Sequence, residues 1–130
     1  MRLFNARNDT WGMKWAWVDE NNIVLGFDSH QCCCEDYGYY YHTDLQKPVE
    51  TEIELTDKGL EIYRFDPAFH ACGILDGLDC GNSFTVRLID STGSAEHPEV
   101  YLTIYNSRNG YYSHGFVFDK GSTTIYDGYL

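Results

Sequence analysis

Two sets of residues in this chain have types and spacing that could do chemistry: carboxylates at two-residue intervals, and a loose collection of thiols and imidazoles. Glu50, Glu52 and Glu54 alternate with Thr51, Ile53 and Leu55. In an extended segment they share one face at intervals of about 6.6 to 6.8 Å, comparable with the spacing of neighbouring phosphates on a nucleic-acid strand. Such a row can imitate phosphate toward an Arg- and Lys-lined groove. It can equally be the solvated face of a strand, or guard an edge against pairing with another chain. The surroundings are acidic as well. Between Asp28 and Asp66 ten carboxylates stand against Lys47, Lys58 and Arg64, a net of minus 7 in 39 residues. The candidate partner-binding residues on this ground are Glu35, Asp36, Asp44, Glu50, Glu52, Glu54 and Asp57.

The thiols and imidazoles are His30, Cys32, Cys33, Cys34, His42, His70, Cys72 and Cys80. In an extended segment Cys32 and Cys34 would share a face, but the chain has neither a Cys-x-x-Cys knuckle nor a His-x(3–5)-His pair, so the spacing speaks against structural zinc. Nucleophilic catalysis needs a thiol or hydroxyl beside an imidazole. Cys34 with His114, or Ser113 with a distant His, could be brought together only by the fold. There is no Gly-x-Ser-x-Gly elbow, P-loop, dinucleotide-binding glycine motif or His-Glu-x-x-His. Asp76-Gly77-Leu78-Asp79-Cys80-Gly81-Asn82 misses the alternating ligand positions of a calcium loop. The sequence therefore assigns no catalytic residue, no metal ligand and no cofactor. A metal- or thiol-dependent enzyme or sensor centred on Cys32–Cys34 is the alternative of a different class.

Twenty acidic residues oppose nine Lys and Arg, a formal charge of minus 11. A phosphate backbone or an anionic membrane surface would repel such a body, whereas cationic surfaces, including the grooves with which proteins hold DNA or RNA, would attract it. The expected partner is thus a basic protein or nucleoprotein complex, with no direct contact to nucleic acid or membrane. Five cysteines, three of them consecutive, do not make a secreted disulfide framework, and the segment Met1-Arg2-Leu3-Phe4-Asn5 has no signal-peptide apolar region. A reducing cytoplasm is the expected compartment.

These residues must be positioned by strands. Residues 1–130 form one expected domain, with 43% hydrophobic residues and an excess of aromatics that favours sheet over helix. Residues 14–19 and 23–28 flank the polar Glu20-Asn21-Asn22 and read as a hairpin with Trp15 and Trp17 on one face, and Ile23, Leu25 and Phe27 on one face of the return strand. Val49 to Leu55 reads as a strand with Val49, Ile53 and Leu55 inward, returning through Thr56-Asp57-Lys58-Gly59 into 60–65 as a second hairpin. Asp66-Pro67 to Gly73 carries the cap, first-turn proline and terminal glycine of one short helix or 3₁₀ turn. Phe84, Val86 and Leu88 give another inward face. The last third reads as a meander: 99–105, a turn around Asn109-Gly110, 111–118, then 123–127. The tyrosines of 37–41 and Tyr111-Tyr112 put rings on both strand faces. Those near Arg108 or His114 can serve as interface anchors or pack across a second sheet. About eight strands result, and the expected fold is mainly β, a β-sandwich or partly open antiparallel barrel with at most one short helix.

At Cys33-Cys34-Glu35, at Asp44 to Val49, and above all at Tyr105-Asn106-Ser107-Arg108-Asn109-Gly110-Tyr111-Tyr112-Ser113-His114-Gly115-Phe116, the chain resembles a family of small uncharacterised proteins from bacteriophages and other mobile elements. The resemblance implies a bacterial cytosol and a gene travelling with phage. Small acidic proteins from that setting often look like inhibitors of host defence, anti-CRISPR proteins among them. The expected function is a non-enzymatic inhibitor that binds a basic nucleic-acid-handling host protein, such as a CRISPR-type defence effector, through an acidic phosphate-mimicking surface. Arg108, Tyr111 and Tyr112 are expected to add contacts. A phage structural or accessory protein is a further alternative.

Overall fold

The computed structural model describes residues 1–8, 12–28, 36–75, 78, 81–93, 99–107 and 114–130, without the side chains of 6–8 and 12–14. The period-two alternation becomes ten strands among the described residues: β1 Arg2–Asn8, β2 Gly12–Val18, β3 Ile23–Asp28, β4 Asp36–His42, β5 Glu52–Ile53, β6 Tyr63–Cys72, β7 Asn82–Asp90, β8 Val100–Ser107, β9 Gly115–Lys120 and β10 Thr123–Tyr129. They form two antiparallel five-stranded sheets. Sheet 1 has the order β1-β2-β3-β9-β10, and sheet 2 the order β5-β4-β8-β7-β6.

The two sheets share one apolar core. Trp17, Leu25, Phe27 and Phe118 from sheet 1 and Phe65, Phe84, Val86, Leu88, Leu102 and Ile104 from sheet 2 are fully buried. Rings meet directly across the gap, Trp17 against Tyr39 at 4.9 Å and Phe84 against Phe116 at 4.5 Å between centroids. Each such side chain contributes roughly 1.5–3 kcal/mol on burial, so alternation fixes the register of both sheets.

The first hairpin forms as the sequence indicates, with Trp15 opposite Phe27 and Trp17 opposite Leu25. The second does not. Only Glu52 and Ile53 join a ladder, and their partner is β4, with Tyr41 opposite Ile53 and His42 opposite Glu52. The physical reason lies at Thr51. Its amide and hydroxyl both donate to the Lys47 carbonyl, at 3.1 and 2.8 Å, and its Oγ1 accepts from the amides of Thr43 and Asp44. Residues 47–51 are thereby held in a helix-like turn, and Val49 stands 69% exposed instead of inward. Thr56 then caps a one-turn helix, α1 Asp57–Leu60, by accepting from the Gly59 amide at 3.1 Å. The chain reaches β6 at the opposite edge of sheet 2.

The helix expected at 66–73 is the second half of β6. Asp66 does cap locally, accepting from the Ala68 amide, but as a short turn inside a bulge where Phe65 pairs with Leu88 and His70 with Val86. Pro67 is tolerated because β6 is an edge strand and the bulge leaves the ladder there anyway. The expected meander also breaks. β9 and β10 form a hairpin, but β8 belongs to sheet 2 and β9 to sheet 1. The turn at Asn109-Gly110 lies outside the described residues.

Asp19 joins the two sheets. Its side chain is buried, with Oδ1 accepting from the amides of Asn21 and Ile23 and Oδ2 from that of Phe65, all at 2.9 Å. It therefore organises the β2–β3 turn, where Asn22 adopts a φ of 60°, and fixes β6 against it. Asp19→Ala strands three amide donors and is expected to lower stability by about 2–4 kcal/mol in chemical denaturation, more than Asp19→Asn, which keeps one acceptor oxygen.

Candidate partner-binding surface

The outward face of sheet 2 is buried to an unusual degree. His42, Thr85 and Thr103 point away from the shared core, yet all three are fully buried. They satisfy one another: His42 Nε2 lies 2.7 Å from Thr103 Oγ1, which lies 2.7 Å from Thr85 Oγ1, and His42 Nδ1 lies 3.3 Å from the Asp44 carbonyl. Rings continue the layer on either side, with Tyr101 stacked on His42 and Tyr40 tilted against it. Farther along, Phe69 lies under the guanidinium of Arg87, which donates through Nε and Nη2 to Asp66 at 3.0 and 2.8 Å. Partial burial opposes ionisation of Asp66, but the Ala68 amide and Arg87 outweigh it and hold the carboxyl below its usual range.

Two connections cover this face. The segment 43–51 lies beside His42, and 73–75 is drawn in by Gly73 donating to the Ser83 carbonyl and Leu75 to Ser83 Oγ. Gly81 packs against the Asn106 carbonyl so closely that no side chain fits. Between the two connections opens a cleft of about 300 Å³, lined by Tyr39, Tyr40, Val49, Glu52, Leu75, Leu78 and Tyr105. Tyr105 sits there because Gly38 opposite it has no side chain; a Cβ would come 3.0 Å from the phenol oxygen. Burial, opposed by Thr103 and helped by Glu52, pushes the Tyr40 phenol up to about 12. Tyr105 is raised by burial and then by Asp36 and Glu52, which puts two carboxylates within electrostatic reach of its ring.

Of the acidic residues named from sequence, Glu52 lies in the cleft wall and Asp44, Glu50, Glu54 and Asp57 lie on the chain before and after it. Asp36 is exposed at the start of β4, opposite Ser107. Asp44 is exposed and accepts from the Gln46 amide at 2.8 Å. Glu50 lies on the turn, Glu52 on β5 in the cleft wall, Glu54 just beyond it, and Asp57 opens α1. Glu50, Glu52 and Glu54 are all exposed, so the alternation of exposure holds although the regular strand spacing does not. Glu35, Arg108, Tyr111 and Tyr112 lie outside the described residues. The residues sequence reasoning missed are Val49, assigned inward, and Leu75 and Leu78, to which it gave no role. Tyr105 could have been found from the alternation of β8, where Val100, Leu102 and Ile104 face the core and Tyr101, Thr103 and Tyr105 face away.

The other chemistry-bearing set is dispersed where it is described. His42 belongs to the hydroxyl chain, His70 packs against the stacked rings of Phe84 and Tyr126, and Cys72 is an exposed free thiol near Tyr126. His114 is buried, its Nδ1 2.6 Å from the Asp28 carbonyl and its ring stacked on Tyr37. Among the described residues no group of three or more His, Cys, Asp or Glu could hold a metal ion. His30, Cys32, Cys33, Cys34, Cys80 and Ser113 lie outside them. No described helix is long and apolar enough to cross a membrane. Comparison with protein-family models, with curated proteins and with solved structures gives no match for the chain.

Burial lowers the His42 imidazole below its ordinary 6.5, with the Asp44 carbonyl opposing. The unfolded chain takes up that proton below about pH 6.5 while the folded chain does not, so the associated stability is present above pH 6.5 and is lost as pH falls through that window. Denaturation of the wild type should show this loss, with a slope of at most about 1.4 kcal/mol per pH unit. His42→Gln, which can still meet Thr103, should flatten the curve between pH 7 and its acid limb, expected at roughly pH 5 from the carboxylates.

Proposed function

We propose that the chain is a non-enzymatic inhibitor from a phage or mobile element that binds a basic, nucleic-acid-handling protein of its bacterial host. Its acidic connection meets the cations of the partner's groove, and the tyrosine-lined cleft takes an apolar or arginine side chain at its margin. The observation that carries this reading is the exposure of Asp44, Glu50, Glu52, Glu54, Asp57 and Glu61 along one connection that holds only Lys47 and Lys58 in return. Among the described residues the ion pairs are those of Arg87 with Asp66 and Glu99, and none of the six takes part in them.

Unpaired carboxylates at a surface gain little from one another and are favoured chiefly by cations brought to them. The cleft supplies what charge alone lacks. Tyr40 and Tyr105 offer ring surface, Val49, Leu75 and Leu78 offer apolar walls, and Glu52 stands among them, a set suited to the stem and head of an arginine. A groove that binds phosphate by cations would meet carboxylates on 44–57 in place of its ligand, which is competition by charge, with no reaction required. The resemblance to phage proteins at 105–116 supports the setting, and a CRISPR-type effector is one host protein with the required basic groove.

Affinity capture from bacterial lysate should retain basic nucleic-acid-binding proteins that are released by salt and by short DNA or RNA duplexes. Replacing Glu50, Glu52, Glu54 and Asp57 together with their amides should leave the thermal midpoint within a few degrees and weaken capture at least about tenfold, about 1.4 kcal/mol. Capture unchanged by salt, by competitor and by the amide substitutions removes the reading.

A further inference from the structure

Sheet 1 has an outward face of its own, half-buried at Ala16, Val18, Val24 and Val117 and buried at Gly26. Its inward residues are Trp15 and Trp17, Ile23, Leu25 and Phe27, and Phe116 and Phe118, so the alternate positions face outward. On the three central strands these include Ala16, Val18, Val24, Gly26 and Val117, a smooth uncharged strip bounded by Asp28 at the end of β3, which pairs with Lys14, and by Asp119 on β9. The strip runs without a break across the ladders: Val18 opposite Val24, and Ala16 opposite Gly26, which is opposite Val117. No described connection of the chain hydrogen-bonds across it.

The margins of the strip differ in sign. On β1, Arg2 lies opposite Val18 and Phe4 opposite Ala16, and Phe4 is 48% exposed. On the far side, Asp119 lies opposite Val24 and Asp127 opposite Val117, with Tyr129, 77% exposed, lying over Gly115. Asp119 Oδ1 is buried and has no hydrogen-bond partner among the described residues. One cross-strand row thus begins at a cation, passes over two valines and ends at a carboxylate with one oxygen that lacks a donor. The two ends are three strand spacings apart, about 14 Å.

We propose that this face binds a second copy of the chain, packed sheet to sheet about a two-fold axis that runs along the strands. The rotation exchanges the two margins, so that β1 of each copy lies over β9 of the other. Arg2 then donates to Asp119 twice, once in each direction, and the small central residues let the two sheets approach. A heterologous basic partner would satisfy Asp119 but would also confront Arg2 with a like charge; a second copy satisfies both. The face measures roughly 24 Å across five strands by 20 Å along them, on the scale of the ~800 Å² per partner of a standard interface once side-chain relief is included.

Two bodies of charge minus 11 repel at long range, and salt screens that repulsion while leaving apolar burial intact. Self-association should therefore tighten as salt rises, the reverse of capture by a basic partner, so the two proposals stand or fall separately. Sedimentation velocity of the full chain over a concentration series, at low and high salt, should show a monomer–dimer equilibrium shifting toward dimer with both variables. Val24→Lys and Val117→Lys point into solvent in the monomer and should keep its circular dichroism spectrum and thermal midpoint while abolishing the dimer. Arg2→Glu and Asp119→Arg should each weaken the dimer about tenfold, and the two together should restore it to within about threefold. A chain that stays monomeric throughout, a dimer indifferent to both lysine substitutions, or a double reversal that fails to restore association overturns the proposal.

Discussion

The burial of one aromatic face of each sheet against the other is the constraint on which the placement of every charge depends. Trp17, Phe27, Phe65, Phe84 and Phe118 are fully enclosed between the sheets, and a carboxylate placed among them would need partners that an apolar interior lacks. The acidic residues are therefore driven to edges and connections. Asp19 and Asp90 are the informative exceptions. Each is buried, and each is engaged by nearby donors: Asp19 by three amides, Asp90 by the amide and hydroxyl of Thr92. At Asp19 and Asp90 the buried charge is met by backbone or hydroxyl donors that already point at it.

The same constraint shapes the proposed contact surface. With β5 at one edge of sheet 2 and β6 at the other, the chain between them cannot lie in the core and must travel outside it. That route carries Glu52, Glu54, Asp57 and Glu61 into solvent, while the turn held by Thr51 does the same for Glu50. The cleft beside it exists because two connections cover the outward face of sheet 2 incompletely. Charge along the route would govern encounter rate and discrimination, and the tyrosine walls would slow departure, a division of labour common at interfaces.

Local pattern made some of this legible and left the rest hidden. Trp15, Trp17, Leu25 and Phe27 announce a hairpin because alternation and a polar turn agree over short range. Glu50 to Leu55 has cleaner alternation and yet pairs at only two residues, since exposure can alternate along an extended connection as well as along a strand. What decided it was the Thr51 hydroxyl, whose bonds to Lys47, Thr43 and Asp44 have no pattern signature. Asp66-Pro67 carried a true helix-start signal that β7 overrode by offering β6 a ladder. The separation of β8 from β9 was likewise beyond local reading, because strand order is fixed by contacts between residues far apart in sequence. Of the candidate site, the exposure of the carboxylates was legible and the place of Glu52 in the wall of a tyrosine cleft was not.

The central claim is that 44–57 and the cleft form the contact surface for a cationic partner. Hydrogen–deuterium exchange of the chain, alone and saturated with the partner recovered from lysate, tests it most directly. The account predicts new protection over 43–56 and around Leu75, with β1 and β2 unchanged by the partner. Protection confined to other segments, with 43–56 exchanging as in the free chain, would contradict it.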